Sequence, residues 1–107
     1  MPYGLNENTI KAIHTIFASY PDIDEVILYG SRAKGNYRPN SDIDLTIKGE
    51  NLNLTTQFKI ETELDDLLLP YKIDLSIYNS IENQNLTDHI LRVGIVFYEK
   101  EMANRGK

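Results

Sequence analysis

Two stretches of the chain alternate apolar and polar residues in the same phase. In 42–48, Ile43, Leu45 and Ile47 fall on one side of a strand and Asp42, Asp44 and Thr46 on the other. In 72–78, Ile73, Leu75 and Ile77 oppose Lys72, Asp74 and Ser76. A third run, Val26 to Tyr29 within 25–30, is apolar without interruption, the pattern of a strand covered on both faces. Ile95 to Tyr98 is a fourth, short apolar strand.

Between these runs the apolar spacing turns helical. In 9–20, Ile10, Ile13, Ile16, Phe17 and Tyr20 form one stripe, with Asn6 or Asn8 as the cap and Pro21 as the stop. Residues 54–69 predict the longest helix, with Leu54, Phe58, Leu64, Leu67 and Leu68 as core contacts and Pro70 behind it. Residues 83–93 predict a last helix on Leu86, Ile90 and Leu91, ended by Gly94. A short turn, Arg32 to Lys34, lies between Ser31 as its cap and Gly35 as its end.

The order is α-β-(short α)-β-α-β-α-β in one domain, 1–107, whose charged end, 99–107, is expected to fray. It predicts an α/β (α+β) fold: a single mixed β-sheet with helices packed on its apolar face. The acid-bearing face of the second and third strands is too polar to be covered by a helix. It is expected to stay open.

Composition narrows the function. Sixteen acids against eleven Lys plus Arg give a net charge of −5, which argues against direct nucleic-acid binding and favours a divalent cation, a nucleotide carried by it, or a basic protein partner. The chain has no cysteine, so disulfides, thiolate metal sites and a cysteine nucleophile are excluded. No apolar stretch approaches the roughly 20 residues of a membrane span. The first residues lack the basic and apolar regions of a signal peptide, so a cytoplasmic location is expected. His14, beside the apolar stripe of the first helix and with no second ligand near it in sequence, reads as structural.

The candidate chemistry lies in 30–44 and at Asp74. Asp42 and Asp44, two apart on a strand, sit roughly 6.5–7 Å from each other at their Cα atoms and point to the same side. Asp74 has the same parity on its own strand and joins them if the two strands are neighbours. Clustered like charges repel, and Mg²⁺ bound to Asp42, Asp44 and Asp74 converts repulsion into coordination. Two such ions, about 3.5–4 Å apart, suit an in-line displacement at phosphorus, with Asp74 as the general base. Gly30 allows close backbone approach to a phosphate, and the Ser31 hydroxyl and neighbouring N–H groups can bind its oxygens. Arg32, Lys34 and Arg38 supply positive charge beside them, and Ser41 precedes the acids. A P-loop is excluded because Gly-Lys-Ser/Thr is missing, and an EF-hand because its Gly and terminal Glu are absent.

Gly30-Ser31, ten residues, then Asp42-Ile43-Asp44 resembles the signature of nucleotidyltransferases related to DNA polymerase β. Ala33, Gly35, Ser41 and Leu45 meet its longer form, and Asp74 in Lys-Ile-Asp-Leu matches the third carboxylate. The similarity is greatest to the minimal nucleotidyltransferases, little more than a palm-like catalytic core. It implies Asp42, Asp44 and Asp74 as catalytic and metal-binding residues, Gly30, Ser31, Arg32, Lys34 and Ser41 as nucleotide-binding residues, Mg²⁺ as cofactor and ATP as substrate. It also implies a HEPN-domain toxin as partner, with AMP moved onto a toxin tyrosine, and an acceptor site that comes from outside this short chain. A non-catalytic antitoxin that acts by binding is the alternative, and a small-molecule nucleotidyltransferase the weaker third.

Overall fold

A computed structural model describes residues 1–100. After a 3-10 turn at Pro2–Gly4, the elements are α1 (Glu7–Ala18), β1 (Glu25–Tyr29), α2 (Gly30–Lys34), β2 (Ile43–Lys48), α3 (Leu54–Asp65), β3 (Ile73–Ile77), α4 (Gln84–Val93) and β4 (Ile95–Glu99). The three longer helices begin alike. Asn6, Asn53 and Asn83 each turn a side-chain oxygen to a backbone N–H three residues on, at 2.8, 3.0 and 3.1 Å. Asn6 is thus the cap of α1. Ser31, expected to cap α2, lies inside it, because the helix starts at Gly30 with Tyr29 in the cap position.

The four strands form one mixed sheet in the order β3-β2-β1-β4. β1 is antiparallel to β2 and β4, whereas β2 and β3 run parallel. The α3 crossover brings Asp74's strand beside that of Asp44. On one face, Val26, Leu28, Ile43, Leu45, Ile47, Leu75 and Ile77 pack against Ile13 and Phe17 of α1 and Ile60 and Leu64 of α3.

Helices were expected on that face alone, and α4 departs from it. Ile90 packs on Ile27 and Tyr29 at the other face, so β1 is covered on both sides as its unbroken apolar run predicts. α4 shields the β1 half of that face; on the β2–β3 half Asp42 and Asp74 are exposed but Thr46 is fully buried, so the expected opening is confined to the end that carries the acids.

The predicted core of α3 needs correction. The helix ends at Asp65, and its buried stripe is Ile60 and Leu64 with Leu67 half-buried beyond; Leu54, Phe58 and Leu68 are exposed. Leu68 lies past the end of the helix in a left-handed conformation, φ 54°, and Leu54 and Phe58 lie off the one stripe that a helix resting on a sheet face can bury. Leu91, a helical step from buried Ile90, is exposed for the same reason. His14 is structural, its Nε2 2.6 Å from the Phe97 carbonyl oxygen and its ring edge-on to Phe97. Of the expected tail, Glu99 closes β4 and the Lys100 N–H donates to the Asp24 carbonyl. Residues 101–107 lie outside the described residues. No helix among the described residues is long and apolar enough to cross a membrane.

Candidate active site

Asp44 stands at the centre of the open face. In the sheet register it pairs with Asp74 on β3 and with Tyr29 on β1, and Asp42 lies one residue before β2. Asp42 and Asp74 are exposed, while Asp44 is half-buried. Burial pushes the Asp44 carboxyl up from its ordinary pKa, and Asp74 and Asp42 push it the same way. The three acids therefore share one electrostatic field.

The floor of this face is hydrogen-bonded. The Ser76 hydroxyl donates to Thr46 Oγ1 at 2.9 Å, joining β3 to β2 behind the acids. Tyr29, one place from the turn, is almost fully buried. Burial raises its hydroxyl pKa, Asp74 and Asp44 add to the rise, and a hydrogen bond with Ser76 opposes it. Tyr29 thus stays neutral beside the acids and closes the face towards β1.

Gly30 is held in a left-handed conformation, φ +75°. A Cβ there would fall on the Asp44 carboxylate, so the glycine permits the acid and the turn to touch. The Gly30 N–H donates to His89 Nε2 of α4 at 3.3 Å. Ser31, half-buried, follows in the first turn of α2. The structure brings Gly30, Ser31, Asp42, Asp44 and Asp74 to one end of the sheet.

Arg32 belongs to a different environment. It is 2% exposed. Its guanidinium donates to the carbonyls of Tyr3 (2.9 Å), Pro39 (3.3 Å) and Ser41 (2.9 and 3.2 Å). It also lies over the Tyr71 and Tyr37 rings, 4.7 and 5.4 Å from their centroids. These contacts tie the N-terminal turn and the 35–41 loop to α2. The contacts that the Arg32 guanidinium makes in this structure are thus scaffolding ones, buried within the fold.

Ser41 completes the scaffold. Its hydroxyl accepts the Arg38 N–H at 2.8 Å, and its own N–H donates to the Arg38 carbonyl at 3.0 Å. Lys34 is exposed in the last turn of α2 and makes no ion pair among the described residues. His89 was not singled out in the sequence. A lone histidine beside an apolar helix stripe carries no signal, and only the passage of α4 across β1 brings it to Gly30.

Among the described residues, no three His, Cys, Asp or Glu side chains form a metal-holding group by themselves. The donor chemistry nevertheless fits Mg²⁺. It consists of carboxylate oxygens on adjacent strands, whose mutual repulsion a cation relieves, and Mg²⁺ commonly completes its shell with water and phosphate oxygens.

Comparison with known proteins meets this geometry. No curated protein matches the sequence significantly. Among solved structures, a chain of a toxin–antitoxin complex with AMP-PNP is 22% identical with a TM-score of 0.69, covering 94% of this chain and 79% of that one. A chain of the complex between tri-AMPylated HEPN toxin and MNT antitoxin from Shewanella oneidensis is 16% identical with a TM-score of 0.66, covering 94% and 78%. A nucleotidyltransferase-like protein from Sulfolobus solfataricus reaches a TM-score of 0.54 at 19% identity, covering 86% and 78%. These likenesses are of fold. The family model described as "Polymerase beta, Nucleotidyltransferase" matches residues 11–103, a span that holds the glycine turn, all three acids and every strand of the sheet. On that match, the chain belongs to the polymerase β nucleotidyltransferase family.

Proposed function

We propose that this chain moves AMP from ATP onto a hydroxyl, that of a tyrosine, of a HEPN-type toxin and thereby acts as its antitoxin. The observation that carries the reading is Asp44, set in register beside Asp74, preceded by Asp42 and pressed against Gly30 at the exposed end of the sheet face. The partner and nucleotide are suggested by structural neighbours that include a toxin–antitoxin complex with AMP-PNP and a tri-AMPylated HEPN toxin with an MNT antitoxin.

In this scheme the acceptor hydroxyl oxygen bonds to the α-phosphorus of ATP. The bond from that phosphorus to the oxygen bridging the β-phosphate breaks, and pyrophosphate leaves. Asp74, exposed on the edge strand, takes the hydroxyl proton. Asp42 and Asp44 are the acids that would hold Mg²⁺, with Asp74 sharing a second ion. When bound, the metal neutralises the triphosphate and activates the α-phosphorus to attack. Gly30 and Ser31 bind the β- and γ-phosphates, and Lys34 offsets charge on the departing pyrophosphate. The chain is expected to act in the cytoplasm.

The test is mass spectrometry of the HEPN protein after incubation with this chain, ATP and Mg²⁺. One or more added AMP units are expected, and none with the Asp42→Asn/Asp44→Asn variant. Unmodified toxin in a stable complex with the wild-type chain would instead establish neutralisation by binding.

A further inference from the structure

His89 reaches the glycine turn from outside the signature segment. It lies on α4, which packs against both β1 and α2. Its Nε2 accepts the Gly30 N–H at 3.3 Å, and its ring stands edge-on to Tyr29, centroids 6.1 Å apart. Gly30 is therefore gripped from two sides. Asp44 fills the space where a Cβ would be, and His89 takes the amide.

That amide opens α2, so no earlier turn of the helix supplies its acceptor. An unpaired N–H there would leave the turn free to rotate about a residue with no side chain to restrain it. An acceptor is needed, and a lysine or arginine in the same place would offer donors only. The Nε2 of His89 is placed to supply that acceptor.

We infer that His89 is a positioning residue for nucleotide binding: by accepting the Gly30 N–H it fixes the Gly30-Ser31 turn at the distance from Asp44 that a triphosphate needs. The inference rests on reading the site as a nucleotidyl-transfer centre. It assigns to α4 a part in the active site that the signature segment does not contain. His89 touches no reacting atom in this scheme, so its effect is felt equally by bound ATP and by the transition state. Loss of the contact then raises KM for ATP and leaves kcat nearly unchanged.

Two variants separate the contact from the packing. His89→Phe keeps an aromatic ring beside Tyr29 and removes the acceptor, whereas His89→Gln offers a carbonyl oxygen at similar reach. In the full chain with its HEPN partner and Mg²⁺, His89→Phe is expected to raise KM for ATP by about three- to tenfold, the range of one hydrogen bond, with kcat within about twofold. His89→Gln is expected to restore most of the affinity. The Gly30 amide, followed by hydrogen exchange in the chain alone, should exchange faster in His89→Phe and regain protection in His89→Gln.

A fall in kcat at constant KM would overturn the inference in favour of direct participation in the chemistry. Unchanged Gly30 exchange in His89→Phe would overturn it as well. If the wild-type chain transfers no AMP, it is the function proposed above that fails. Gly30 exchange and calorimetric affinity for ATP still decide the role of His89.

Discussion

Arg32 and Asp44 lie twelve positions apart in one signature segment, and the fold treats their charges in opposite ways. Arg32 is buried, but its guanidinium meets four carbonyl contacts and two tyrosine rings. No buried side-chain nitrogen or oxygen among the described residues lacks a partner. Asp44 is half-buried beside two further acids, and the shift of its carboxyl shows that the fold opposes its ionisation. A charge whose needs are met locally holds structure together. One that is crowded by like charges on an open face is unfavourable by itself and becomes favourable when a cation or a proton arrives.

The largest effect that would break this contrast belongs to the acids. Asp44→Asn is expected to reduce adenylyl transfer by about two orders of magnitude or more while the protein becomes more stable near neutral pH. The sign follows from the raised carboxyl pKa. A raised acid pKa means that the fold prefers the protonated form, so the wild type is penalised once pH rises above the unfolded carboxylate range. The stability gain of the variant should therefore shrink as pH falls through that range. Activity assays paired with thermal melts at several pH values check both halves. A variant that loses stability at neutral pH would place Asp44 with the structural charges.

Arg32→Lys comes next and should move the opposite quantity. Lysine keeps the charge but cannot match the planar fork that spans Tyr3, Pro39 and Ser41, so several carbonyls lose their donor. A loss of about 2–4 kcal/mol in urea unfolding is expected. Activity per folded molecule, measured well below the melting transition, should hold to within a few-fold. A stable Arg32→Lys protein with poor ATP affinity would return Arg32 to the phosphate site.

The same contrast explains what could be read before the structure. Strand parity is a local property with a period of two, so the shared side of Asp42, Asp44 and Asp74 followed from Ile43, Leu45, Ile73 and Leu75 alone. Uninterrupted apolar sequence in β1 likewise announced two covered faces. The burial of Arg32 was not legible, because its partners come from Tyr3, the 37–41 loop and Tyr71. These residues meet only after the sheet has formed. His89 was hidden for a similar reason, since its partner lies 59 positions away. In α3, leucines and a phenylalanine occupy more of the helix surface than one sheet face can bury. Apolar identity at Leu54 and Phe58 therefore overstated the core, and Leu68 falls outside it because the helix ends at Asp65.

The smallest effect is expected at a charge that falls between the two extremes. The Tyr20 hydroxyl, just beyond α1, donates to the Glu63 carboxylate of α3. Burial, then the hydrogen bond and charge of Glu63, push the Tyr20 pKa from 10.0 up to about 12. This acid is satisfied by a neutral donor and only partly shielded from water, so neither the burial of Arg32 nor the crowding of Asp44 applies. Tyr20→Phe should cost about 1 kcal/mol at neutral pH, the worth of one ordinary hydrogen bond. Because the folded pKa lies above the unfolded one, the contribution is complete below pH 10 and fades as pH rises towards 12. Urea melts of wild type and variant at pH 7 and near pH 11.5 should therefore converge at the higher value, with other tyrosines cancelling in the difference. If the gap persists at high pH, the phenol ring's packing, and not its bond to Glu63, joins α1 to α3.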